Sequence, residues 1–235
     1  MNFIKNCHSD WQEILIQSLQ TMDQNYLQQL MYDKDWLPGK ERLFAAFSLP
    51  LAKTRYILLG ESPYPRIDSA NGYAFWDNAV SNLWALKGLS TLVNRATSLR
   101  NLIKMLLIAR GDIDTKASQE NIALVNKSTL VQTAEQLFIG MMNKGILLLN
   151  ATLVYSEDKV PYHARHWKPF MQTLFSLLAR DKSNIQLILL GKIAETVSQD
   201  KLSIGLMAEH PYNISFITNQ HVLDFFKPLD LLKNE

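Results

Sequence analysis

The chain has 235 residues, 47% of them apolar and 20% charged, enough to close a substantial core and too apolar for a disordered or fibrous protein. Its one cysteine, Cys7, cannot form an internal disulfide and cannot by itself hold a structural zinc ion or an iron–sulfur cluster. With 24 basic and 22 acidic side chains the net charge is +2, which does not single out nucleic acid but permits a local positive groove.

The opening residues, MNFIKNCHSDWQEIL, are too polar for a signal peptide, and no apolar run approaches bilayer length, so a cytoplasmic protein without membrane contact is expected. Ser9 and Gln12 stand at capping-box spacing, and Trp11, Ile14, Leu15 and Leu19 follow at helical period, predicting an amphipathic helix within 9–31. Four short apolar runs come next: YILLG (56–60), ILLLN (146–150), LILLG (187–191) and GLMAEH (205–210). Rich in Ile and Leu and not alternating, they fit strands buried on both faces. SLRNLIKMLLIAR (98–110) predicts a helix, and Trp167, Phe170, Met171, Leu174, Phe175 and Leu178 form another apolar stripe.

Strands separated by helices predict an α/β protein, a single-domain α/β/α sandwich around a four-stranded, mainly parallel sheet. No repeat or linker-like run divides the chain, so one domain over 1–235 is expected, with 1–50 as a helical lead-in. Ligands of such sheets sit outside the carboxyl ends of the strands. Here those ends carry Glu61, Ser62, Pro63 and Tyr64, then Asn150, then Lys192, then His210 and Pro211, side chains able to accept, donate, stack and titrate.

In chain order, GESPYP, GYAF, LLLN, GK and HPYNIS resemble the motifs of the uracil-DNA glycosylase superfamily. Its best-known branch carries G-Q-D-P-Y-H-G after the first strand, a G-L-C-F-S-like segment, L-L-L-N, G-S and H-P-S-P-L-S. LPGKERLFAAF (37–47) looks like the family's lead-in, and SLRN (98–101) like its serine-led phosphate-contacting helix. The similarity runs from about residue 11 to 232.

The resemblance implies DNA as partner, no metal or other cofactor, a monomer, and cleavage of the bond between a base and deoxyribose. The nucleotide must first be flipped out of the stack. Phe75 would then stack on the base, Asn150 would pair with its N3–H and O4, and Tyr64 would close the space that a thymine methyl needs. His210 would donate to O2 of the departing base. Ser98 and Ser215 would contact phosphates, with Pro63, Lys192 and Pro211 beside them, and Ile214 would fill the gap left by the flipped nucleotide.

Each residue also has a plain structural reading. Phe75 can be a core aromatic, Asn150 a turn cap, His210 a satisfied turn residue, Tyr64 loop packing, Ser98 a helix N-cap and Ile214 a buried side chain. The motifs also depart from the family where the chemistry lies. Ser62 stands in place of the water-positioning aspartate, Glu61 in place of glutamine and Pro65 in place of histidine. NRATS replaces a proline-rich loop, GK replaces G-S, and H-P-S-P has lost its first serine and second proline.

Glu61 matches the glutamate of G-E-A-P-G branches and can either replace the missing carboxylate or bond its own loop. Those branches typically carry an iron–sulfur cluster that one cysteine cannot ligate. The segment 76–97 is longer than its counterpart and reads as an insertion, in which Leu83 and Trp84 either pack back or meet a partner. Two readings follow: a glycosylase of weakened or altered activity, or an inactive homologue that binds DNA or a protein through the same cleft.

Overall fold

Four short stretches of the chain pair into one sheet, which satisfies their backbone hydrogen-bonding groups along the ladder. The structure, a computed structural model, describes residues 4, 6–33, 35–181, 184–196 and 201–234. The strands are β1 (Tyr56–Gly60), β2 (Trp84–Ala85), β3 (Gly88–Leu89), β4 (Ile146–Asn150), β5 (Gln186–Leu190) and β6 (Ser203–Ala208). β2 and β3 form a short hairpin, and the main sheet has the order β4-β1-β5-β6. The helices are α1 (Gln12–Gln20), α2 (Gln24–Tyr32), α3 (Thr91–Arg95), α4 (Thr97–Arg110), α5 (Gln119–Leu124), α6 (Ala134–Asn143), α7 (Val160–Asp181), α8 (Ile193–Thr196) and α9 (Gln220–Phe226). The α/β architecture with a four-stranded, mainly parallel sheet is therefore present. Among the described residues, no helix is long and apolar enough to cross a membrane.

Tertiary contacts gather the chain into two units. The first contains Met1–Asp77, Gly145–Ile188 and Val197–Gly205; the second contains Asn78–Lys144, Leu189–Thr196 and Leu206–Glu235.

In the first unit, β1 and β4 pair in parallel from Tyr56↔Ile146 to Gly60↔Asn150. Both strands are almost wholly buried, and α1 packs against α7. Trp11 is fully buried, donates its indole N–H to the Leu49 carbonyl at 2.7 Å and meets Phe47 edge-on at 5.0 Å. The stripe from Trp167 to Leu178 is the buried face of α7, as its spacing predicts.

In the second unit, α4 presents Leu99, Leu102, Ile103, Leu106 and Leu107 inward and packs against α9 and the 3-10 turn Ile214–Thr218. The 76–97 segment supplies the hairpin and α3. Leu83 is fully buried, and Trp84 donates its indole N–H to the Val131 carbonyl at 2.7 Å, so both pack back within this unit.

Several predicted boundaries need correction. The 9–31 segment is a 3-10 turn followed by two helices, because the Asp23 carboxylate accepts from the amides of Asn25 and Tyr26 and starts α2 afresh. Ser9 forms no capping box; His8 caps the turn and accepts from the Asp10 amide. Ser98 is not an N-cap, since α4 begins one residue earlier with Ala96 as its cap. LILLG shifts by one because Gly191 turns to φ 82°, and β6 ends at Ala208, leaving Glu209 and His210 in the following loop.

Candidate functional site

In the first unit, the parallel ladder sets Gly60 level with Asn150. It continues past the strands, with the Ala151 amide donating to Gly60 and the Thr152 amide to Glu61. Asn150 is 2% exposed, and its side chain lies over Gly60: a Cβ at position 60 would stand 2.5 Å from Asn150 Oδ1 and 3.0 Å from the Ala74 Cβ. The glycine that ends β1 is therefore a space requirement of the amide beside it. Asn150 carries both a donor and an acceptor, the set needed to pair with an imide edge.

The loop that follows β1 is fixed at several points. The Ala74 amide donates to the Leu148 carbonyl at 3.0 Å, and the Asn71 side chain accepts from the Tyr73 amide at 3.0 Å. A Cβ on Gly72, at φ 91°, would overlap the Arg42 carbonyl. Phe75, held at the left-handed φ of 64°, is a non-glycine residue in a strained conformation.

The Tyr64 hydroxyl donates to the Phe75 carbonyl at 3.2 Å. Burial, together with the nearby Asp77 carboxylate, pushes the Tyr64 phenol up to about 12, against a smaller opposing effect of Arg66. Tyr64 is thus a neutral donor throughout the physiological range. Arg66 pairs with the buried Asp77 at 3.0 Å and ties the two ends of this loop. Pro63 is buried, Ser62 half-buried and Glu61 exposed.

In the second unit, Gly191 packs on His210. At φ 82°, it has no room for a side chain, because a Cβ would lie 2.8 Å from the His210 Cβ. Its amide donates to the Ala208 carbonyl, and exposed Lys192 follows directly. The Tyr212 amide donates to His210 Nδ1 at 3.1 Å. A backbone amide can only donate, so this contact gives Nδ1 the acceptor role and leaves Nε2 as the nitrogen able to donate. The Asn213 amide closes the turn on the His210 carbonyl at 2.9 Å.

Buried Asn101, from the first turns of α4, donates to the Pro211 carbonyl at 2.7 Å, and Pro211 is itself buried. Ser98, half-buried, lies one turn earlier on the same helix. Ile214 is 65% exposed rather than buried, and Ser215 is exposed. Burial works against the Glu209 carboxylate, yet hydrogen bonds from its own backbone, Asn219 and Ser215 hold it below the usual carboxylate range. Asn219 also caps α9.

The predicted residues therefore form two sets: Glu61, Ser62, Pro63, Tyr64, Phe75 and Asn150 in the first unit, and Ser98, Lys192, His210, Pro211, Ile214 and Ser215 in the second. The supporting residues Gly60, Asp77, Asn101 and Gly191 are not among the predicted ones. Asn101 has one trace in the sequence, a polar side chain between the apolar positions Leu99 and Leu102 of an amphipathic helix. Among the described residues, no cluster of His, Cys, Asp and Glu is arranged to hold a metal ion.

No protein-family model matches the chain. The uracil-DNA glycosylase of Lactococcus lactis subsp. lactis is 30% identical over 184 residues, which cover 76% of this chain and 70% of that protein. The uracil-DNA glycosylase of Sulfurimonas denitrificans is 26% identical over 216 residues, 88% and 83% of the two chains. The crystal structure of wild-type UNG from Nitratifractor salsuginis superimposes with a TM-score of 0.91 at 39% identity, covering 98% of this chain and 94% of that one.

Proposed function

We propose, from the premise that the chain belongs to the uracil-DNA glycosylase family of base-excision repair hydrolases, that it binds an extruded uracil in DNA and hydrolyses its N-glycosidic bond with altered efficiency. The observation that carries this reading is the Gly60–Asn150 pair, in which the chain gives up a side chain so that a buried amide can occupy the end of β1.

In this reading Asn150 pairs with N3–H and O4 of the base, and Phe75 stacks on its face. Tyr64, held by its bond to the Phe75 carbonyl, excludes a 5-methyl group. Flipping the nucleotide costs a few kcal/mol, which these contacts offset. As the bond between C1′ and the base nitrogen breaks, its electron pair leaves with the base. The Nε2–H of His210, whose tautomer the Tyr212 amide fixes, donates to O2 where that charge develops. Water then adds to C1′ and releases a proton. Ser98, Ser215 and Lys192 contact phosphates, Pro63 and Pro211 shape the loops that do so, and Ile214 fills the vacated space.

In this reading the chain's own side chains carry these steps, and it acts as a monomer on cytoplasmic or nucleoid DNA. Serine at position 62 then stands where the family's water-positioning carboxylate would be, and Glu61 precedes it in the chain. Single-turnover incubation with uracil-containing single-stranded DNA tests the reading. Abasic product at enzyme excess is the expected result, and its complete absence rejects the hydrolytic reading.

Ser62 favours a second reading, a homologue that keeps DNA binding without turnover. That reading predicts salt-dependent binding and no base release, and robust excision would eliminate it.

A further inference from the structure

Two large apolar side chains stand out of the loop that carries His210. Tyr212 is 67% exposed and Ile214 65% exposed, two residues apart. An aromatic and a branched aliphatic exposed on one short loop offer an apolar surface to whatever lies against it. The backbone beneath Tyr212 is not loose. Its amide is spent on His210 Nδ1, and the carbonyl of Pro211 before it takes a bond from Asn101 at 2.7 Å. The Asn213 amide bonds the His210 carbonyl, and Phe216 anchors the far end with no exposed surface. Tyr212 is an aromatic ring with few rotatable bonds on a fixed base, already set for contact, so little freedom is lost when something lies against it.

The family motif has serine at this position, a residue that cannot stack. We infer that Tyr212 is a platform for the nucleobase beside the extruded one, and that its contribution to binding is larger on unpaired strands than on a duplex. This rests on the proposed function above. Ring-on-base stacking tolerates any sequence, because every base has a π-face. In a single strand that face is free at no cost in pairing, whereas in a duplex it becomes available only after the stack is broken. Tyr212 thus adds to binding chiefly where the neighbour is already unpaired.

Fluorescence anisotropy with labelled uracil-containing oligonucleotides tests this, using the wild type, Tyr212→Ala and Tyr212→Phe on single strands and on the matching duplex. Tyr212→Ala is expected to weaken single-strand binding about tenfold, with a smaller change on the duplex. Tyr212→Phe stays near the wild type, and the salt dependence is the same for all three because no charge is altered. An alanine variant that binds single strands as well as the wild type overturns the inference. So does a phenylalanine variant as weak as alanine, which would mark a hydroxyl contact, or an equal loss on both DNA forms. If the wild type binds neither DNA form, the proposed function falls as well; if it binds and excises while Tyr212→Ala is indistinguishable from it, only this inference falls.

Discussion

Asn150 Oδ1 lies where the side chain of residue 60 would begin, 2.5 Å from the position of a Cβ at Gly60. Gly60→Ala therefore has to move the amide, since the Ala74 methyl closes the other side at 3.0 Å. Overpacking of this kind costs about 1–3 kcal/mol, and misplacing a positioning group by ~1 Å is worth up to about 100-fold in rate. Urea unfolding and single-turnover excision should show a modest stability loss beside a disproportionate loss of uracil processing.

The Tyr64 phenol, raised from 10.0 to about 12 in the folded protein, keeps its proton there while the unfolded chain has lost it. Between these values the native state binds more protons, so stability falls as pH rises from 10.0 to about 12. Tyr26, raised chiefly by burial, adds to the same alkaline loss, so the informative quantity is the difference between the wild type and Tyr64→Phe. Denaturant midpoints across that range should fall less steeply in the variant.

His163 works in the opposite direction. Its ring is 4% exposed and hydrogen-bonded to the Tyr26 hydroxyl at 2.9 Å and the Ser156 hydroxyl at 3.1 Å. Burial, then the neighbouring Lys159, holds its pKa below 6.5, with Asp33 opposing and His166 reinforcing the shift. The unfolded chain binds the proton more readily, so stability is lost as pH falls below 6.5. His163→Gln should flatten that acid limb in thermal melts, while lowering stability near neutrality by about 1 kcal/mol through the altered hydrogen bonds.

Ser62 is half-buried on the loop between Gly60 and Tyr64 and carries no charge. In the proposed reading Ser62→Asp restores a carboxylate at the water-positioning position, and a rise of at least about 100-fold in single-turnover uracil excision is expected from stabilised positive charge at C1′. Glu61→Gln in the wild-type background should abolish whatever excision the protein performs. If Glu61→Gln excises at the wild-type rate, the carboxylate that assists the water is not Glu61.

The strands were legible because buried β-strands in a mainly parallel sheet must be continuous apolar runs. β1 and β4 start and stop where YILLG and ILLLN do. The 9–31 helix misled because its apolar period survives the break at Thr21–Asp23, whereas the break depends on one carboxylate preferring two amides to solvent. The candidate site residues were picked out by type and order along the chain. Their supports were not: the need for Gly60 and Gly191 arises from contacts across the fold, with Asn150 and with His210, that no local pattern records. Asn101 likewise reads as a helix residue until its bond to Pro211, across 110 positions, is seen.

Position 212 answers to two masters that can be separated by mutagenesis. What His210 needs from it is a main-chain hydrogen, which every amino acid except proline supplies. A library randomised at this codon should therefore tolerate almost any side chain as far as the imidazole is concerned, and reject proline outright. Evolution could thus try different surfaces on that spot, aromatic, aliphatic or charged, without disturbing the proton on the ring next door.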